Sequence, residues 1–333
     1  MHETLHHCHE LKGFLMSTSS AKANNQASSE ERAREKVAVV TGASSGLGLE
    51  TAKQLARQSI EIVMICRGRT RGEHARSEVA EVATGKRPVM LLADLSVQAD
   101  VRRVAQEVSE RYEAVDLLIN NAGSAFNRRE QSADGLELTW ATNHLAPFLL
   151  TDRLLPVLLA AGAGRVVNVT SEIYSRKLDL DNLQGERKFS YFGAYRISKL
   201  GNVLFTTELA RRIEGSGVTV VSVSPGPART NFGGGGPSGV MGVITGVMKR
   251  TPVFRSAERA AAGIVWAATA PEVEATPGAL YMRCKQLTLK GAATDPALAA
   301  RIWQLSAEQA GIDPERSAVA PVSVETSRPT RST

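Results

Sequence analysis

The sharpest chemical signal in the sequence is a pair of side chains four residues apart, Tyr195 and Lys199, in the run Tyr195-Arg196-Ile197-Ser198-Lys199. On a helix, positions i and i+4 project from one face, so the phenol and the ammonium come together. An isolated tyrosine, with a pKa of about 10, is a poor base at neutral pH, and a neighbouring cation lowers that value. Tyr195 then becomes a general acid in one direction of a reaction and a general base in the other. Taken alone, the spacing also fits a surface pair with the ring laid on apolar neighbours.

Two further residues remove that blander reading. Ser171 closes the run Arg165-Val166-Val167-Asn168-Val169-Thr170, which reads as a strand, so its hydroxyl stands at the carboxyl edge where open α/β sheets bind ligands. There it can hold a carbonyl oxygen. Strand alternation sends Thr170 to the opposite face. Asn143, in Thr142-Asn143-His144-Leu145, lies within a predicted helix.

A cofactor site is written near the start of the patterned region. Gly42, Ser44, Ser45, Gly46, Leu47 and Gly48 follow a predicted strand and open a predicted helix, where backbone amides and the helix dipole receive a pyrophosphate. At the end of the next strand, where a carboxylate would bond the ribose 2′-hydroxyl of NAD, the chain has Cys66-Arg67-Gly68-Arg69. Arg67 offers a charge-assisted fork to a 2′-phosphate, which points to NADP(H).

The elements that must carry these residues alternate. Short β-branched runs at 37–41, 60–66, 89–93, 115–120, 165–170 and 218–224 predict strands. Amphipathic stretches near 47–58, 73–84, 98–112, 136–160, 193–213 and 256–268 predict helices. This predicts an α/β fold: a single Rossmann-type doubly wound parallel sheet of about seven strands with helices on both faces. The domain is expected over residues 35–313, between tails expected to be disordered at 1–34 and 314–333. A glycine-rich connection at about 226–255, with Val240, Met241, Val243, Ile244, Val247 and Met248, reads as a substrate lid with an adaptable apolar lining.

Composition excludes several other classes. The net charge of +6 comes from scattered residues rather than a dense basic face, so no nucleic-acid partner is expected. Three cysteines give no disulfide framework and point to a reducing, cytoplasmic compartment. No integral membrane segment is expected, because no apolar run reaches 18 residues. His6-His7-Cys8-His9 lacks the spacing that fixes a coordination geometry, so no metal is expected.

Taken together, the glycines at 42, 46 and 48, Asp94-Leu95, Asn120-Asn121-Ala122-Gly123, Asn143, Ser171, Tyr195 and Lys199 resemble the short-chain dehydrogenase/reductase family over roughly residues 36–285. The resemblance implies a carbonyl–alcohol oxidoreductase in which Asn143 interrupts a helix and holds a water linked to the lysine. It also implies cofactor contacts: Asp94 and Leu95 at the adenine, Asn121, Ala122 and Gly123 at the ribose side, Pro225 and Gly226 against the nicotinamide, and Thr230 on its carboxamide. Ile65-Cys66-Arg67, Thr142-Asn143-His144-Leu145 and Ser198-Lys199-Leu200-Gly201-Asn202 resemble the retinol-dehydrogenase-like and protochlorophyllide-reductase-like branch, which implies a bulky apolar carbonyl or alcohol as substrate, retinoid-like or a polyketide or other secondary metabolite. Homo-oligomers through the helices near 136–160 and 193–213 are a further implication. The alternative function is a catalytically silent NADP(H)-binding sensor, since a fold does not fix an activity.

Overall fold

The β-branched runs form strands, several of them buried along their whole length, and the amphipathic runs between them form helices. The computed structural model describes residues 34–227 and 255–315. The expected tails, apart from their innermost residues, and nearly all of the expected lid, including Thr230, lie outside these described residues.

The sheet has eight strands: β1 (Val37–Thr41), β2 (Glu61–Cys66), β3 (Val89–Leu92), β4 (Leu117–Asn120), β5 (Arg165–Val169), β6 (Thr219–Ser224), β7 (Leu280–Met282) and β8 (Lys285–Leu287). Their order is β3-β2-β1-β4-β5-β6-β7-β8, parallel as far as β7. This is the doubly wound arrangement, and its order reverses between β1 and β4. The eighth strand is a three-residue antiparallel edge that the sequence reading does not anticipate. Its two-residue turn, Arg283-Cys284, has φ of 54° and 59°, a left-handed pair usually announced by Asn-Gly or Asp-Gly.

The helices are α1 (Gly46–Ala56), α2 (Arg69–Val82), α3 (Gln98–Arg111), α4 (Leu138–Trp140), α5 (Ala146–Ala160), α6 (Tyr191–Arg212), α7 (Ala257–Thr269) and α8 (Pro296–Gln309). Alternate strand residues feed two cores. Val37, Val39 and Val166 pack with α3, α5 and α6, whereas Ala38, Val40 and Val167 pack with α1, α2 and α7. That division follows from the two-residue period of a strand covered on both faces.

The single helix expected over 136–160 is broken. A five-residue π-turn, Ala141–Leu145, separates α4 from α5 and carries Asn143. Pro147, next in α5, has no N–H to give to the carbonyl four residues back. That carbonyl, of Asn143, accepts instead from Asn202 Nδ2 at 2.9 Å. A side chain from α6 thus takes over a bond that the proline cannot make.

Candidate active site

The glycine loop after β1 has the properties of an anion cradle. Ser45 caps α1 in an extended conformation, its hydroxyl makes no capping bond, and the first turn holds no acid. The N-terminal amides of α1 are therefore left to an incoming anion. Gly42 has φ of 66°, and a Cβ at Gly48 would lie 2.4 Å from the Gly42 carbonyl oxygen, so the second requirement is close approach and not a turn. Ser44 and Leu47 are partly buried in the same loop.

The β4 end braces this loop. Thr41 Oγ1 accepts from the Asn121 and Ala122 amides at 2.9 Å each, and Asn121 Nδ2 donates to the Thr41 carbonyl at 2.8 Å. Asn121 thus builds the cradle's floor with its side chain. Gly123 follows it, half-buried, and Ser124 then engages Asn143.

Asp94 shapes the loop after β3. Its Oδ1 accepts from the Ser96 amide and hydroxyl at 2.9 and 2.7 Å, and its own amide donates to Asp100 at 2.8 Å. Leu95 packs on the core below. At the β2 end, Arg67 is exposed and α2 opens with Arg69 and Arg71, with no side-chain cap and no acid in its first turn. Cations at a helix N-terminus oppose its dipole, so this corner favours an added anion. The Cys66 thiol beside it is buried, which pushes its pKa up to about 11.

Tyr195, Lys199 and Ser171 converge at the carboxyl end of β5. Tyr195, in α6, is hydrogen-bonded to Ser171. Lys199, one turn on, is buried with its ammonium 5.7 Å from the centre of the Tyr195 ring, and it donates to the Val169 carbonyl at 2.9 Å. The Thr170 hydroxyl is turned away and donates to the Lys199 carbonyl at 2.9 Å.

The electrostatics of this pair correct the sequence expectation. Burial pushes the Tyr195 phenol up, to about 12, and Glu172 and Tyr191 add to the effect, while the Ser171 bond opposes it. Lys199 is pushed down to about 8 by burial, because water no longer stabilises its charge. The ammonium lies over the ring face and bonds a backbone carbonyl, so it does not depress the phenol in the way that the four-residue spacing suggested.

Asn143 is fully buried and reaches the site indirectly. Its Oδ1 accepts from the Ser124 amide at 2.7 Å, and its Nδ2 donates to the Ser124 carbonyl and to Ser198 Oγ at 2.8 and 3.0 Å. Ser198 Oγ in turn donates to the Tyr195 carbonyl at 2.8 Å. The asparagine ties the loop after β4 to the turn of α6 that bears the phenol. The sequence reading missed Ser124 and Ser198, whose types are too common to stand out.

On the far side, Gly226 has φ of 70° and its amide donates to Ser224 Oγ at 3.2 Å, while the Ser224 hydroxyl donates to Glu172. Pro225 sits between them, directly after β6. Glu172 and Ser224 were not anticipated either. Glu172 adjoins Ser171 in the chain, and that adjacency was its only signal.

A glycine cradle at the strand-order reversal, with a tyrosine, a lysine and a serine gathered at the same sheet edge, defines a dinucleotide-dependent oxidoreductase. The short chain dehydrogenase family matches residues 36–235, and the chain belongs to that family. Among its relatives, retinol dehydrogenase 14 of Mus musculus is 34% identical over 288 residues, covering 83% of this chain and 86% of its own. A Streptomyces sp. (strain C5) protein, provisionally named as a daunorubicin C-13 ketoreductase, is 36% identical over 275 residues, covering 82% and 92%. A crystal structure of an uncharacterised Mycobacterium paratuberculosis protein superposes with a TM-score of 0.67 at 29% identity, over 84% of this chain and 94% of its own.

The family uses a nicotinamide cofactor and acts on small molecules, and the loop geometry fits that group. Among the described residues, no helix is long and apolar enough to cross a membrane.

Proposed function

We propose that the chain is an NADP(H)-dependent reductase that interconverts a carbonyl and an alcohol on a bulky apolar substrate, with Tyr195 as the proton donor in reduction. The observation that carries this is the hydrogen-bonded Tyr195–Ser171 pair above a buried Lys199, at the edge shared with the glycine cradle. When bound, the nicotinamide supplies or accepts the hydride.

The chain's own residues do the rest. The Ser171 and Tyr195 hydroxyls hold the substrate oxygen, and the raised proton affinity of Tyr195 keeps it protonated, ready to donate as the oxygen gains charge. Lys199, still mostly charged at neutral pH, holds the strand end that leads to Ser171 through its bond to the Val169 carbonyl. Asn143 holds the loop after β4 and α6 in register through Ser124 and Ser198.

Arg67, with Arg69 and Arg71 at the uncapped start of α2, supports a 2′-phosphate and hence NADP(H) over NAD(H). Ile173 and Phe192 are the large apolar side chains most exposed among the described residues, at 57% and 46%. One lies two residues past Ser171 and the other three before Tyr195, so both flank the reacting groups and support a bulky apolar ligand. The names of the relatives, retinol dehydrogenases and a provisionally named daunorubicin C-13 ketoreductase, point the same way. The buried free thiol of Cys66 fits a reducing, cytoplasmic compartment.

The test is NADPH and NADH oxidation against bulky aldehydes and ketones, with Tyr195→Phe and Arg67→Ala beside the wild type. Turnover is expected to prefer NADPH, to fall at least a hundredfold in Tyr195→Phe, and to lose its NADPH preference in Arg67→Ala. Tight NADPH binding without turnover on any carbonyl would favour the silent sensor.

A further inference from the structure

Glu172 is a carboxylate where the mechanism asks for none. It follows Ser171 directly, is only partly buried, and its one hydrogen bond among the described residues is received from the Ser224 hydroxyl. Among the described residues, no lysine or arginine pairs with it, and the ammonium of Lys199 is turned to the Val169 carbonyl instead.

A purely structural link to Ser224 does not need a charge, since a neutral amide accepts the same bond. Removing a carboxylate from part of its water without a counter-ion costs free energy. A charge retained at a sheet edge with no cation partner among the described residues therefore has a use when a positive charge arrives with a ligand. Ser224 Oγ also receives the Gly226 amide at 3.2 Å, which ties Glu172 to the Pro225-Gly226 segment that family resemblance places against the nicotinamide. Of the two redox forms of that ring, only the oxidised one is cationic.

We infer that Glu172 sets the relative affinity for the two redox forms of the cofactor, as a fixed negative charge that favours the oxidised, cationic nicotinamide over the reduced, neutral one. This rests on the site reading given above. The same carboxylate lowers the cost of the positive charge that hydride loss leaves on the ring, so it assists transfer to a carbonyl. It also faces the Tyr195 phenol, together with Ser171, Tyr191 and Lys199, and helps to keep that proton in place.

The experiment is direct titration of the full chain with NADP+, NADPH, NAD+ and NADH, followed by calorimetry, for the wild type, Glu172→Gln and Ser224→Ala. In Glu172→Gln the oxidised forms should lose about fivefold in affinity relative to the reduced forms. The shift should be equal for the phosphorylated and unphosphorylated pairs, because the charge in question is on the ring that they share. Ser224→Ala keeps the charge and should leave that ratio within about twofold. A thermal melt checks folding, and Glu172→Ser serves as the second charge-removing variant should Glu172→Gln fail it.

An unchanged ratio in a folded, charge-free variant that still binds both forms overturns this inference alone. A wild type that binds none of the four nucleotides overturns it together with the proposed function.

Discussion

Lys199 is a residue whose burial works against the fold that holds it. Its folded pKa of about 8 lies below the ordinary 10.5, so below pH 8 both folded and unfolded chains carry the charge and the folded state bears the full cost of burying it. Between about 8 and 10.5 the unfolded chain holds more protons, and stability contributed by this group rises with pH. Lys199→Met is therefore expected to abolish reduction while raising stability at pH 7 by roughly 1–2 kcal/mol, after the lost bond to Val169 is subtracted. Urea midpoints from pH 7 to 9.5 check it: the wild type should gain on the variant as pH rises, and parallel curves would refute the idea.

The same residues mark how far sequence reading goes. Tyr195, Lys199, Ser171 and the glycines were legible because their types and offsets are imposed by a helix face, a strand end and a tight turn. The direction of the Tyr195 shift was not, because spacing reveals that two groups are near but not what else surrounds them. Burial dominates here, with Glu172 and Tyr191 adding to it, and these are facts of tertiary packing.

At the level of elements, the strands and most helices followed from hydrophobic period, within a few residues at their ends. The π-turn did not, although Pro147 was a visible warning that the helix ladder loses a donor. What sustains it is His144, fully buried between Trp140, at 4.0 Å ring to ring, and the polar partners Asn202 and Ser306. Burial pushes this imidazole down to about 3 from the usual 6.5. The unfolded chain then binds the extra proton first as pH falls, so stability is full above about 6.5 and is lost progressively below it. Between pH 6.5 and 5 the loss should be about 2 kcal/mol. In His144→Gln, which starts less stable, that loss should be clearly smaller; equal losses would assign the acid sensitivity to other groups.

For the molecule as a whole, α8 is the helix that the sequence reading missed. Its start was written in Asp295-Pro296, where the aspartate accepts from the Ala297 and Leu298 amides. Trp303 of α8 packs edge-on against Phe148 of α5 at 4.9 Å and stacks with Phe205 of α6 at 6.0 Å, with Arg212 over its face at 4.5 Å. The helices expected to mediate self-association are therefore partly covered by their own chain. Light scattering on the full chain should report a monomer, and Trp303→Ala should cost about 3–5 kcal/mol and promote association. A stable dimer in the wild type with a buried Trp303 would show that other faces pair.

Trp303 also has a place in time, because Phe148 and Phe205 are translated well before it. At ribosomal speeds of about 5–20 residues per second, the aromatic groove between α5 and α6 stays uncovered for roughly 5–20 s while the intervening chain is made. The glycine loop, Tyr195 and most of the sheet all leave the ribosome before the helix that closes over the groove. The nascent chain thus presents those elements alongside an open aromatic groove, a natural grip for a chaperone until α8 emerges.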